Sequence, residues 1–87
     1  MQRSVVVALP EGLHARPAAQ FVATAGRLPA KVTIAKAGGT PVATASILAV
    51  MTLGVGAGDE VVLSTADDDA DAARSLDALE NFLLQSA

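Results

Sequence analysis

The run Gly12-Leu13-His14-Ala15-Arg16-Pro17-Ala18-Ala19 contains the only histidine of the chain, and its neighbours indicate what that imidazole could do. Gly12 permits a tight backbone bend, while Pro17 has its φ preset for a helix and lacks the N–H that a first helical turn leaves unpaired anyway. His14 is therefore expected just ahead of a helix start. There the free backbone N–H groups and the positive end of the helix dipole converge on a place suited to phosphate. A neutral imidazole offers a ring nitrogen as nucleophile, and the guanidinium of Arg16 can hold phosphoryl oxygens through charge-assisted hydrogen bonds. The chemistry suggested is acceptance of a phosphoryl group on His14, assisted by Arg16, with Ala15, Arg16 and Pro17 forming the helix start that binds it. A solitary histidine in a small domain more often decorates a surface or caps a helix. What sets this one apart is its company.

The elements that must position it can be read along the chain. Residues 3–8 form a β-branched run that predicts a first strand with both faces fairly buried. From Arg16 onward, Ala18, Phe21, Val22 and Ala25 fall at i, i+3, i+4 and i+7, the stripe of an amphipathic helix that Gly26 and Pro29 bring to an end. Residues 31–36 alternate polar and apolar with Val32 and Ile34 inward, and Gly38-Gly39 marks a turn before a second strand over 40–44. Pro41 cannot donate to a ladder, which puts that strand at a sheet edge. Residues 46–53 predict a short helix, begun by Thr44 or Ser46 as cap and closed by Gly54. Residues 60–66 form a fourth strand with Val61, Leu63 and Thr65 on one face. Asp67, Asp68, Asp69 and Asp71 gather at the start of a last helix, where negative charge suits the dipole, and Ala72, Leu76, Leu79 and Leu83 line its apolar side. The order β-α-β-β-α-β-α implies an α+β fold: an open-faced β-sandwich with a four-stranded, mainly antiparallel sheet covered on one face by three helices.

Composition narrows the functional classes. At 87 residues the chain is one small domain, 1–87, that buries roughly 60–65% of the surface of its unfolded form. A hydrophobic fraction of 52% with 17% charged residues excludes a disordered chain, and the abundance of Ala and Val implies a core of small side chains. A net charge of -3 and only two aromatic residues, Phe21 and Phe82, argue against nucleic acid. The absence of cysteine excludes disulfides and thiolate chemistry and fits a reducing compartment, so a cytoplasmic location is expected. The apolar stretch near the N-terminus is too short for a signal peptide or a membrane span.

Other chemistries fail on spacing. An EF-hand loop begun at Asp69 would need glycine where Arg74 stands, and one histidine without cysteine cannot make a zinc site, so no metal is expected. The glycines at 38–39 and 54–58 lack the Lys-Ser/Thr ending of a P-loop and read as turns.

The segment Gly12-Leu13-His14-Ala15-Arg16-Pro17-Ala18 resembles the active-site signature of the HPr family, the histidine-containing phosphocarrier proteins of the bacterial phosphoenolpyruvate-dependent sugar phosphotransferase system. A second block, Ser46-Ile47-Leu48-Ala49-Val50-Met51-Thr52-Leu53-Gly54 followed by Gly58-Asp59-Glu60-Val61, resembles the regulatory-site helix of that family and the loop into its last strand. The resemblance extends over essentially the whole chain. It implies a carrier rather than an enzyme, without cofactor, in which His14 receives a phosphoryl group on Nδ1 from phosphorylated enzyme I and passes it to sugar-specific enzyme IIA proteins, with Arg16 assisting. It further implies a monomer that docks partners through its first two helices. Gln20, Ile47, Leu48, Met51 and Thr52 are the expected contacts, and Val50 and Leu53 belong to the core. Family members often have lysines on the exposed face of the first helix; here Ala23 and Gly26 leave Arg16 and Arg27 as the nearby basic residues, which weakens electrostatic steering.

Ser46 has two readings. It can cap the second helix, or, as in many family members from Gram-positive bacteria, accept phosphate from a serine kinase, with a phosphorylase to remove it. Ala45 stands where many such members have a basic residue. The alternative function is accordingly an HPr-like regulatory binding module switched by phosphorylation at Ser46.

Overall fold

A computed structural model describes residues 1–85. Its elements follow the predicted order: β1 (Gln2–Val6), α1 (Ala15–Ala25), β2 (Thr33–Lys36), β3 (Val42–Ala43), α2 (Ile47–Thr52), β4 (Glu60–Ser64) and α3 (Ala70–Leu83). The four strands form one sheet in the order β1-β4-β2-β3, and every pairing is antiparallel. Val5 lies opposite Val61, Ile34 opposite Leu63 and also opposite Val42. This register sets one continuous apolar face toward the helices.

Phe21, Leu13, Ile34, Leu63, Leu76, Leu79, Leu83, Val50, Val55 and Val61 are fully buried between that face and the helices. Phe21 of α1 and Phe82 of α3 meet edge to face with ring centroids 5.5 Å apart, tying the two long helices together. The core is richer in Leu and Val than the alanine content suggests. Ala18 and Ala72 are buried where helices approach their neighbours, whereas Ala19, Ala23, Ala43 and Ala57 lie on the surface.

The first strand corrects one expectation. Both its faces were to be buried, yet Val6 is 57% exposed and Ser4 is also exposed, and only Val5 points fully inward. β1 is an edge strand of a sheet with helices on one side, so alternate residues must face water whatever their type. The second strand of the hairpin does lie at the other edge, as Pro41 requires, and Thr65 falls just past the end of β4, half-buried.

Local chemistry sets the helix ends. The Ser46 hydroxyl accepts from Ala49 N–H at 3.3 Å and the Asp69 carboxylate from Ala72 N–H at 2.9 Å, each satisfying a first-turn donor. Gly54, with φ +65, closes α2 in the left-handed conformation. Ser46→Ala is expected to lower the unfolding free energy by about 1 kcal/mol, and Ser46→Gly by a few tenths, read as shifts of the urea midpoint at constant slope. Equal losses would mean that the hydroxyl does not cap.

Candidate functional site

The approach to His14 is built by three residues with different tasks. Gly12 N–H donates to Leu9 O at 3.0 Å, closing a turn in which Gly12 holds φ +64. Leu13 is fully buried and its N–H donates to Val55 O at 2.9 Å, pinning the chain to the loop that leaves α2. His14 then takes an extended conformation, φ -107 and ψ 152. Successive side chains of an extended segment point to opposite sides. With Leu13 anchored in the core, the imidazole is exposed.

His14 occupies the N-cap position of α1, and its side chain makes no cap hydrogen bond there. This distinguishes α1 from α2 and α3, whose caps are occupied by Ser46 and Asp69. Pro17 has no N–H, and Ala18 N–H reaches the His14 carbonyl at 3.3 Å. The amides of Ala15 and Arg16 are therefore the donors this helix start can offer to an anion. Pro17, half-buried, contributes shape and φ rather than a donor. Arg16 is exposed. The four ion pairs among the described residues, Arg3–Asp77, Arg3–Glu80, Lys36–Asp59 and Arg74–Asp71, leave its guanidinium uncommitted.

One feature of this helix start escaped the sequence. Ala15 has φ +40, the only positive φ at a residue other than glycine among those described. An alanine there is strained by about 1 kcal/mol or more, because its Cβ crowds the backbone. No residue type in the motif signals it; the strained residue lies between the buried Leu13 and the first buried residues of α1, Ala18 and Phe21.

α2 packs against α1, and its C-terminal end faces the His14 loop through the Leu13–Val55 bond. Val50 is fully buried and Leu53 packs against the core, as expected. Ile47, Leu48 and Met51 are 39%, 76% and 41% exposed, so the short helix shows an apolar side to solvent. Thr52 is exposed with its hydroxyl donating to Ala49 O at 2.7 Å, and Gln20 is exposed on α1. Ser46 and Ile47 lie at the far end of this six-residue helix, on the order of 9 Å from its His14-facing end. Among the described residues no group of three or more His, Cys, Asp or Glu side chains could hold a metal ion, and no helix is long and apolar enough to cross a membrane.

The loop that receives Leu13 has its own anchor, also unread in the sequence. Asp59 Oδ2 accepts from Gly56 N–H at 2.8 Å and lies 3.5 Å from Lys36 Nζ. The Gly56 N–H foremost, and then the Lys36 charge, hold the Asp59 carboxyl below the usual aspartate range. In the unfolded chain this group binds a proton more readily than in the folded one. Its stabilising contribution is thus fully present above the ordinary aspartate value and disappears as pH falls through the lower folded value. As pH falls below the ordinary aspartate value of about 4, the urea midpoint of the wild type is expected to fall more steeply than that of Asp59→Asn; parallel curves would contradict this assignment.

An open-faced β-sandwich with an exposed imidazole at the uncapped entrance of its first helix defines a recognisable class. Residues 1–85 match the family described as "PTS HPr component phosphorylation site". The chain is 51% identical over 72 residues to the phosphocarrier protein HPr of Streptomyces coelicolor, covering 83% of this chain and 77% of that one. It is 49% identical over 84 residues to the HPr of Haloferax volcanii, with 95% and 92% covered. The crystal structure of HPr from Bacillus anthracis superposes with a TM-score of 0.86 at 38% identity, over 95% of each chain. The chain belongs to the HPr family of phosphocarrier proteins of the phosphotransferase system.

Proposed function

We propose that His14 is a transient phosphoryl acceptor: it takes the group from phosphorylated enzyme I and gives it up to enzyme IIA proteins. The observation that most supports this is the free cap of α1. The other two helices satisfy their first turns with a serine or aspartate oxygen. Here an exposed imidazole stands at that position without a cap bond, so a phosphoryl group on the ring could itself occupy the place of the missing cap. The Ala15 and Arg16 amides and the Arg16 guanidinium would then balance its charge.

The step is a displacement at phosphorus. A lone pair on a ring nitrogen of His14 forms the N–P bond as the bond to the donor breaks, and the donor's leaving atom keeps its electron pair. The second transfer reverses this toward the acceptor. An exposed ring suits both, since it must enter two partner active sites in turn. In this reading Gln20, Ile47, Leu48, Met51 and Thr52, exposed on α1 and α2, are the side chains that a partner covers. Three apolar side chains exposed on two helical turns favour burial by a partner over permanent solvation.

Incubation with phosphoenolpyruvate and enzyme I is expected to give an acid-labile adduct on this protein, carried by His14. An acid-stable adduct, or one at another residue, would refute the proposal.

A second reading is favoured by the position of Ser46. Its exposed hydroxyl already accepts the Ala49 N–H, so phosphate there would keep the cap and add negative charge beside the exposed side chains of α2. A kinase acting at Ser46 would then weaken docking rather than unfold the helix. Measured affinities of the Ser46-phosphorylated and unmodified proteins for enzyme I test this; equal values would remove its basis.

A further inference from the structure

The peptide group joining Val55 and Gly56 is held at both ends. Its N–H, on Gly56, donates to Asp59 Oδ2 at 2.8 Å, and its C=O, on Val55, accepts from Leu13 N–H at 2.9 Å. Gly12 lies so close to this unit that a β-carbon there would stand 2.3 Å from Val55 O and 2.6 Å from Gly56 Cα. From β2, Lys36 Nζ reaches both Asp59 Oδ2 at 3.5 Å and Gly54 O at 3.4 Å, so one ammonium spans the two ends of the loop. The loop is also bonded to the chain just past β1, through Gly58 N–H to Val7 O at 2.7 Å and Val7 N–H to Asp59 O at 2.9 Å.

We propose that Asp59 is a positioning residue for His14, acting through the Val55–Gly56 peptide on Leu13. An ionised carboxylate is a stronger acceptor than a neutral oxygen. By drawing on the Gly56 N–H it polarises the peptide, and hydrogen bonds in series reinforce one another, which strengthens the Val55 carbonyl as acceptor for Leu13. The Leu13 N–H belongs to the Gly12–Leu13 peptide, so this bond fixes the peptide one residue ahead of His14, and the buried Leu13 side chain carries the restraint on to the residue from which the imidazole projects. Transfer requires the attacking nitrogen within a narrow range of the phosphorus, and displacements of about 1 Å can be costly. Lys36 adds a favourable charge beside the carboxylate and a contact to Gly54 O, without being part of the relay. The functional half of the proposal rests on His14 being the phosphoryl acceptor; the structural half does not.

Amide hydrogen exchange and proton chemical shifts of the full chain test the relay in Asp59→Ala, Asp59→Asn and Lys36→Met. In Asp59→Ala the Leu13 and Gly56 amides are expected to exchange about tenfold faster, while those of Ile34 and Leu63 in the sheet keep their wild-type rates. The Asn oxygen can still accept, so Asp59→Asn is expected to recover most of the protection. Lys36→Met, with the carboxylate retained, should stay within about twofold of wild type at Leu13. In transfer from enzyme I, Asp59→Ala is expected to lower kcat several-fold at unchanged KM, because the docking side chains of α1 and α2 are untouched.

Wild-type exchange at Leu13 in Asp59→Ala would overturn the relay, as would a loss of transfer expressed in KM. Equal acceleration throughout the sheet would assign Asp59 a purely structural role and overturn it too. Should Asp59→Ala not fold, Asp59→Asn decides: the Gly56 amide proton moves upfield on loss of the charge, and the Leu13 proton must move with it. If the wild type takes no phosphoryl group at all, the reading of His14 fails, and the Leu13 amide still decides the relay.

Discussion

His14→Ala is expected to accept no phosphoryl group from enzyme I, and to do so as a folded protein. The imidazole is exposed and makes no cap bond, so its removal takes no core contact and no helix-ending interaction with it. Unfolding free energy should change by no more than about 0.5 kcal/mol. The comparison therefore separates chemistry from folding: radiolabel from phosphoenolpyruvate is lost while the circular dichroism spectrum and the urea midpoint stay in place. Undiminished labelling of His14→Ala would place the acceptor elsewhere. Loss of the fold along with the label would give His14 a structural part that its surroundings do not suggest.

Gly12→Ala is expected to have the largest effect on stability, for two separable reasons. Gly12 holds φ +64, where an alanine is strained, and the new β-carbon would stand 2.3 Å from Val55 O, a backbone atom that also accepts the Leu13 N–H. Relief requires moving the His14 loop away from the loop after α2. The expected cost is about 2–4 kcal/mol, with transfer slowed by up to roughly a hundredfold as His14 is displaced. Gly38 supplies the control. It has φ +79 but open space around it, so Gly38→Ala feels the conformational cost alone, about 1 kcal/mol, and should leave transfer intact. Equal effects at the two glycines would show that close approach at Gly12 is not what matters.

The contrast between these glycines indicates what the sequence could and could not disclose. Features set by neighbouring residues were legible. The aspartates gathered at the start of α3, the edge placement imposed by Pro41, and the stripe of Ala18, Phe21, Val22 and Ala25 each depend on backbone chemistry within a turn or two. The His14 motif belongs to the same group, because a glycine, a histidine, an arginine and a proline at a helix start have a local meaning. The choice between Thr44 and Ser46 as the cap of α2 is made only in the structure, where the Thr44 hydroxyl donates to Val32 O and Ser46 caps. Features made by contacts between distant segments were not legible. Val6 reads as a buried strand residue by type, and only its place in an edge strand of a one-sided sheet exposes it. The positive φ of Ala15 has no compositional sign. Asp59 reads as one more acidic residue in a glycine-rich loop until the fold brings Gly12 and Leu13 against the peptide it holds.

The site thus combines exposure with restraint. Leu13 is buried, Gly12 is fitted against backbone and the α2–β4 loop is closed by Asp59 and Lys36, so that one imidazole can stand in solvent with its main chain fixed. A carrier needs both properties. In the role proposed for His14, exposure would let the ring enter the active sites of donor and acceptor, and restraint would limit the conformational entropy lost on each docking.

The most direct measurement follows one phosphoryl group through both transfers. The protein is labelled from phosphoenolpyruvate by a catalytic amount of enzyme I, separated from both, and mixed with an enzyme IIA. The expected result is an acid-labile label on His14 that leaves this chain and reappears on the enzyme IIA. A label that never forms on His14, or that forms there and is lost only to water in the presence of each enzyme IIA of the host, would contradict the assignment of this protein as a carrier.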